Sequence, residues 1–594
     1  FPLPNNPRNF NTPIYGIDSY DKLFTPRQLV ALTTFSDLVA EAREQAYADA
    51  VAAGLPDDGV PLREGGTGAW AYAEAVSVYL AFAVSRLANR NSSICVWNTG
   101  GEKIEQVFAR QAIPMTWDYP ESNPFSESTG NWLGNMDWIG KSLESLPCHA
   151  PLGEAGQQDA TQLDVAEADT VVLATDPPYY DNIGYSDLSD FFYIWLRYSL
   201  RVVFPDVFST LLTPKTPELV ATPYRFNDDA EAANSHFEAG LLQAFGRMYQ
   251  LIHPDYPLTV YYAFKQSETE LEDDTGTLLA ASTGWETMLA SLIEAGFAVD
   301  GTWPMRTERP TGVKVAVNAL ASSIVLVCRP RPENAPRTTR TEFLRLLRAE
   351  LPAALREMTT ANIAPVDLAQ ASIGPGMAVY SRYSQVLEPN GQRLTVRTAL
   401  QIINQVLDEY LAEQEGDLDA ESRFAVAWFE QYGFSTGEFG AADVLARAKN
   451  TSVEGLARAG ILEAKAGKVR LYRWDELDAG WEPLTPSPSP SGDAAHRRGE
   501  GRRGRGTVWE ATHHLIERLN THGESGAAML LAKMPSDLAA SARQLAYRLY
   551  SICERKGWAE HARDYNALVI SWGASQEQAV AYRDQYRQMG LEGI

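Results

Sequence analysis

The sequence predicts an α/β domain of Rossmann-like type, an incomplete doubly wound sheet, joined to mainly helical accessory domains that include a winged helix. Three observations predict it. A short apolar run at 171–174 ends at Asp176-Pro177-Pro178-Tyr179, as a buried parallel strand running into a loop should. Helical-period stripes then alternate with apolar runs as far as Cys328, and beyond Pro330 the pattern becomes mainly helical.

In chain order, residues 1–22 are rich in Pro and Asn and read as extended, after which Thr25-Pro26-Arg27-Gln28 opens a long helix to about Ala53. A second helix is expected over 70–88. The stretch 89–163, with Asn123-Pro124-Phe125 and Gly130-Asn131-Trp132, reads as a loop region. After the strand at 171–174, two helical stripes follow: Leu188, Phe191, Phe192, Trp195, Leu196, then Phe237, Leu241, Phe245, Met248, Ile252. A strand at 258–264 comes next. Thr283 and Glu286 form a capping box for a helix that Gly296 stops, and strands near 298–305 and 323–328 close the domain as an antiparallel pair.

These boundaries divide the chain into a helical and loop-rich region (1–165), the second half of a Rossmann-like domain (166–332), a helical region (333–482) with a winged helix at 419–473, a linker (483–506) and a C-terminal helical domain (507–594). The linker is Pro/Ser-rich and then Arg/Gly-rich, so it buries little and is expected to be disordered.

Composition narrows the function classes. With 594 residues, 45% hydrophobic and 21% charged, the chain is neither disordered nor fibrous over most of its length. Its 76 acidic less 51 basic residues give −25, so a uniformly basic nucleic-acid surface is excluded and any polyanion contact must be local. Cys95, Cys148, Cys328 and Cys553 form no CxxC pair, which argues against a zinc ribbon or disulfide framework and fits a reducing cytoplasm. The longest apolar stretch, 69–84, is shorter than the roughly 20 residues of a membrane span and contains Glu74, so it reads as a buried helix. The amino terminus has neither an initiator Met nor a signal-peptide pattern, and it reads as the interior of a longer protein.

The chemistry-bearing candidate is Asp176-Pro177-Pro178-Tyr179. Ligands of open α/β sheets bind beyond the carboxyl ends of the strands, which is where this motif falls. An exocyclic amine on an aromatic ring has a delocalised lone pair, and it becomes nucleophilic when acceptors hold its hydrogens and favour a pyramidal nitrogen. The Asp176 carboxylate and the Pro177 carbonyl supply two acceptors, and the successive prolines restrict the backbone that carries them. Tyr179 offers a flat face to a base taken out of its stack. The following Tyr180, Asn182 and Tyr185 are candidate substrate contacts.

The run from Thr175-Asp176-Pro177-Pro178-Tyr179-Tyr180 through Asp190-Phe191-Phe192-Tyr193-Ile194-Trp195-Leu196 resembles the DUF1156-type adenine-specific DNA methylases found among phage-defence genes. Similarity is also carried by Phe24-Thr25-Pro26-Arg27-Gln28, Arg110-Gln111-Ala112-Ile113-Pro114-Met115, Tyr261-Tyr262-Ala263-Phe264-Lys265, Gly301-Thr302-Trp303-Pro304-Met305-Arg306 and Asn362-Ile363-Ala364-Pro365-Val366-Asp367. The resemblance implies a Rossmann-like methyltransferase that uses S-adenosylmethionine, acts on adenine N6 in DNA and has Asp176, Pro177, Pro178 and Tyr179 as catalytic residues. Cytosine N4 fits the same geometry. The family's cofactor-binding glycine loop is absent; Gly65-Gly66-Thr67-Gly68 follows no apolar strand and reads as a helix entry, and Gly374-Pro375-Gly376 is no better placed. The expected partners are therefore DNA and an upstream fragment or subunit carrying that loop. The alternative is a non-catalytic DNA- or protein-binding subunit, or a fragment inactive without its upstream partner.

Overall fold

The computed structural model describes residues 1–6, 9–147, 153–163, 171–180, 183–262, 283–306, 322–361, 363–413, 416, 418–477, 481, 483 and 506–588. Two compact units divide the chain: Phe1–Val165 with Pro178–Arg247, and Ala166–Pro177 with Met248–Ile594.

In the first unit, α1 (Pro26–Ala52) starts at a reciprocal capping box. Gln28 N donates to Thr25 Oγ1 at 3.3 Å, and Thr25 N donates to Gln28 Oε1 at 2.8 Å. Upstream, the chain expected to be extended contains two short 3₁₀ turns, Pro13–Tyr15 and Tyr20–Leu23. Helix α2 (Ala69–Ala88) packs on α1, and the two-residue strands β1 (Trp97–Asn98) and β2 (Lys103–Ile104) pair antiparallel. Helix α3 (Trp132–Glu144) lies in the stretch expected to be loop. Its cap is Asn131 Oδ1, which accepts from Gly134 N at 2.6 Å; the preceding Gly130, at φ +93°, made the segment read as turn alone. Helix α4 (Tyr185–Leu200) closes the core, where Phe24 stacks on Phe191 at 5.6 Å and meets Trp195 edge-on at 5.4 Å. By length and composition α2 could cross a membrane, but half of it is buried, and Glu74 accepts from Leu62 N at 2.7 Å. It is packed as a core helix.

Helix α5 (Ala230–Leu251) leads into the second unit, whose sheet contains β3 (Ala174–Thr175), β4 (Leu258–Tyr262), β5 (Phe297–Arg306) and β6 (Ser322–Pro330) in the order β3-β4-β6-β5. Strand β3 is parallel to β4, and β6 is antiparallel to both β4 and β5, so β5 runs in the direction of β4. Helix α6 (Thr283–Glu294) makes that crossover. The C-terminal strand thus inserts between two strands already joined by a helix. Burial explains the order: Ile324, Leu326 and Cys328 of β6 and Leu258, Val260 and Tyr262 of β4 are fully buried. The expected Thr283 cap lies outside the described side chains, whereas Gly296 does stop α6, at φ +105°.

Downstream, β7 (Arg337–Thr339) pairs parallel with β8 (Gln385–Leu387), while α7 (Arg340–Thr360), α8 (Pro365–Ser381) and α9 (Val396–Glu413) pack together, α8 also against β5. Then come α10 (Ala420–Tyr432), β9 (Gly437–Glu438), α11 (Phe439–Ala448), α12 (Val453–Arg458), β10 (Leu462–Lys465) and β11 (Lys468–Leu471), with an antiparallel sheet of order β10-β11-β9. Ala466 and Gly467, both at positive φ, turn the hairpin. Helices α13 (Val508–Lys533), α14 (Ser536–Arg555), α15 (Ala559–Ile570) and α16 (Trp572–Gln588) complete the unit. Nearly all of the expected linker lies outside the described residues, and hydrogen bonds join the start of α10 to the start of α13. Asp419 caps α10 through Ser422 N (2.7 Å) and also accepts from Val508 N (2.9 Å), while Ser422 Oγ accepts from Trp509 N (2.9 Å).

Phe429 of α10 sits among Trp509, Trp558, His561 and Tyr565. Here His513 is 1% exposed, with Nδ1 2.8 Å from Trp509 O and Nε2 3.0 Å from Tyr565 Oη. A carbonyl only accepts, so Nδ1 carries the proton and Nε2 accepts from the tyrosine. Burial lowers the His513 pKa from 6.5 to about 4. The unfolded chain therefore binds more protons between these values, so stability is retained above pH 6.5 and lost as pH falls toward 4, by up to about 3 kcal/mol. Chemical denaturation across this range should show that slope, and His513→Phe should flatten it. An unchanged slope in the variant would assign the effect to other groups.

Candidate functional site

Strand β3 is short and lies at the sheet edge. Val171 N donates to Leu251 O (2.9 Å), His253 N to Val171 O (2.8 Å) and Thr259 N to Leu173 O (3.1 Å), so alternate residues from Val171 turn their main chain toward the neighbouring strand. Val172, Ala174 and Asp176 turn theirs to the open side, where no described residue pairs with them. The expectation of a buried strand is corrected: Val172 is 64% exposed, and Ala174 and Asp176 are exposed. A parallel-strand composition at an unpaired edge explains why periodicity alone misread the burial. Asp176 thus presents its carboxylate at the carboxyl end of a parallel strand, and Pro177 is buried behind it. The boundary between the units falls after Pro177.

In the first unit, Pro178 and Tyr179 are half-buried, and Tyr180 takes the left-handed conformation at φ +28°. Three contacts hold it there. Its carbonyl accepts from Ala221 N (3.0 Å), its hydroxyl donates to Asn234 Oδ1 (2.5 Å), and its ring meets Phe237 edge-on at 5.3 Å. Tyr180 therefore serves first as an anchor. Asn182 lies outside the described residues, and Tyr185 opens α4 with half of its surface exposed.

The first turns of α4 carry a charged network that the sequence analysis missed. Asp190, 1% exposed, accepts from Lys215 Nζ (2.6 Å), Thr213 N (2.8 Å) and Thr213 Oγ1 (2.7 Å). Asp187, 3% exposed, accepts from Tyr224 Oη and from Arg225 Nη2 (3.2 Å). Arg225 Nη1 also pairs with Glu218 at 2.8 Å, and Glu218 accepts from Ser186 N (3.0 Å). Burial, then Asp187, pushes the Tyr224 pKa up to about 12, so it stays a donor. Burial works against the Arg225 charge, but Asp187 and Glu218 outweigh it. Three acids and two bases leave one negative charge at the start of α4, where the helix dipole favours it. No local spacing signals the network, because Asp190 and Lys215 lie 25 residues apart and Asp187 and Arg225 lie 38 apart.

The glycine-rich runs make packing contacts. Gly68 caps α2, where a Cβ would lie 2.4 Å from Pro56 O, and a Cβ on Gly66 would lie 2.1 Å from Val60 O. Gly374 and Gly376 lie within α8, where Cβ atoms would strike Thr302 (2.2 Å) and Ile403 (2.6 Å). Neither run follows a strand of the four-stranded sheet as a phosphate-binding loop would. The described cysteines, Cys95, Cys328 and Cys553, are buried and free, and Cys148 lies outside the described residues.

Arg225→Met should destabilise the chain by about 3 kcal/mol or more by leaving Asp187 and Glu218 unpaired, while Arg225→Lys should lose less. Thermal denaturation reads this as a drop of several degrees, and an unshifted transition would mean that the network does not hold the fold.

Comparison with known proteins gives one family match: a family model described as a domain of unknown function (DUF8807) matches residues 419–591. No curated protein and no solved structure matches. The resemblance to DUF1156-type methylases is corrected accordingly, since the matching family is a different one and nothing found supports the methylase family. The matched segment begins at Asp419, the cap shared by α10 and α13, and runs through the aromatic cluster into α16.

Proposed function

We propose that this chain carries the amine-binding part of a methyltransferase acting on an exocyclic nucleobase amine, adenine N6 in DNA, with S-adenosylmethionine as the donor. The reading rests on one observation: an exposed carboxylate, Asp176, ends a parallel strand and is followed at once by Pro177, Pro178 and Tyr179. Ligands of such sheets sit beyond the carboxyl ends of the strands, so Asp176 is at the productive end. Its carboxylate accepts one amine hydrogen and the Pro177 carbonyl the other, which frees the nitrogen lone pair. Tyr179 supplies the stacking face. Cytosine N4 satisfies the same acceptors.

The described residues do not fit the donor, because both glycine-rich runs are filled by packing contacts. We assign the donor site to a further polypeptide segment. A second reading, a protein-binding subunit, draws support from residues 419–473. Three helices and a β10-β11-β9 sheet are compatible with a winged helix, and three of its cations pair with neighbours: Lys468 with Glu438, Arg470 with Glu463 and Glu476, Arg447 with Asp443. The free buried thiols fit a cytoplasmic protein.

In an assembly competent for transfer, Asp176→Ala should abolish incorporation of labelled methyl groups into adenine-containing DNA while leaving the melting temperature nearly unchanged, because the side chain packs no core. Retained transfer would remove Asp176 from the site. Tyr179→Ala should weaken capture of single-stranded DNA by about 1 to 3 kcal/mol, with Tyr179→Phe close to wild type. Fluorescence anisotropy with a short labelled oligonucleotide reads this directly, and equal losses in both variants would assign the effect to the hydroxyl.

A further inference from the structure

Arg86 and Arg90 stand four residues apart at the carboxyl end of α2 and are both half-buried. The Nε atom of each is buried without a hydrogen-bond partner, whereas their terminal nitrogens are not buried and bond no described residue. Among the described residues, neither side chain lies within ion-pair distance of a carboxylate. Glu105 feels the charge of Arg90, but it is held by Asn98 Nδ2 at 2.8 Å and Lys103 Nζ at 3.4 Å. Burial, then the charge of Arg90, lowers the Arg86 pKa. Both arginines stand at the carboxyl end of α2, whose dipole favours cations, but Ser85 O and Leu87 O there already accept from Asn89 N and Arg90 N.

The stem of Arg90 is fixed: a Cβ at Gly130, itself at φ +93°, would lie 3.2 Å from Arg90 Cβ and 3.4 Å from Cδ. Two guanidinium groups of like charge that lack an acid partner among the described residues repel each other, and an anion bound between them relieves that repulsion. A guanidinium fork matches a phosphate with two parallel hydrogen bonds. On a chain of net charge −25, a local pair of this kind is also how a polyanion could be met.

We propose that Arg86 and Arg90 form a binding site for a phosphate group. The proposal does not depend on methyl transfer. Its test uses the full chain in calorimetry and thermal-shift titrations with inorganic phosphate, and in anisotropy titrations with a short single-stranded DNA. Phosphate should bind the wild type and raise its melting temperature, and Arg86→Met/Arg90→Met should weaken that binding by about tenfold or more. Without phosphate the double variant should melt no lower than wild type, because methionine buries no charge. Arg86→Lys/Arg90→Lys keeps the charges and guards against a folding defect in the methionine variant; it should bind with intermediate affinity. Loss of oligonucleotide binding by the same factor assigns the phosphate to a nucleic-acid backbone, whereas phosphate binding without oligonucleotide binding assigns it to a small phosphorylated ligand. Equal phosphate affinity in wild type and the methionine variant, or no binding of either probe at millimolar concentration, overturns the proposal.

Discussion

Much of the first unit depends on two carboxylates buried in the first turns of α4. Asp187 and Asp190 are almost fully removed from water, so each requires a cation and several donors. Meeting that requirement brings Lys215 and Arg225 to one helix end and ties down the intervening loop. The loop in turn holds Tyr180 through Ala221, which fixes where the chain goes after Tyr179. A buried electrostatic demand in a helix thus helps to hold Tyr180, which has no charge contact with it.

The second constraint is topological. Strand β6 inserts antiparallel between β4 and β5 and buries Ile324, Leu326 and Cys328, while no described residue pairs with the outer side of β3. An apolar edge with unpaired main-chain groups is unusual, because such edges recruit further strands unless they are covered or charged.

The third feature is the segment from Asp419 onward, where one carboxylate and one hydroxyl satisfy the helix-end donors of both α10 and α13. Beside them the buried aromatic cluster keeps His513 neutral, with one tautomer selected by a carbonyl acceptor. The family match spans this same arrangement, including the Pro/Ser- and Arg/Gly-rich segment within it.

Local order was legible in the sequence wherever a single helix or strand carries its own signal. Thr25 and Gln28 mark the start of α1, the Phe191 and Trp195 stripe marks α4, and Gly296 marks the end of α6, because caps and periodicity act over a few residues. The strand-end position of Asp176 was legible for the same reason. Helix α3 was not, since its Asn- and Gly-rich entry matches a turn as well as a cap. Only the tertiary structure decided that β3 is exposed, that Gly374 and Gly376 make room for Thr302 and Ile403, that Asp187 meets Arg225, and that Arg86 and Arg90 meet no acid among the described residues. Burial and charge pairing are properties of neighbours in space, and one sequence does not state which distant residues become neighbours.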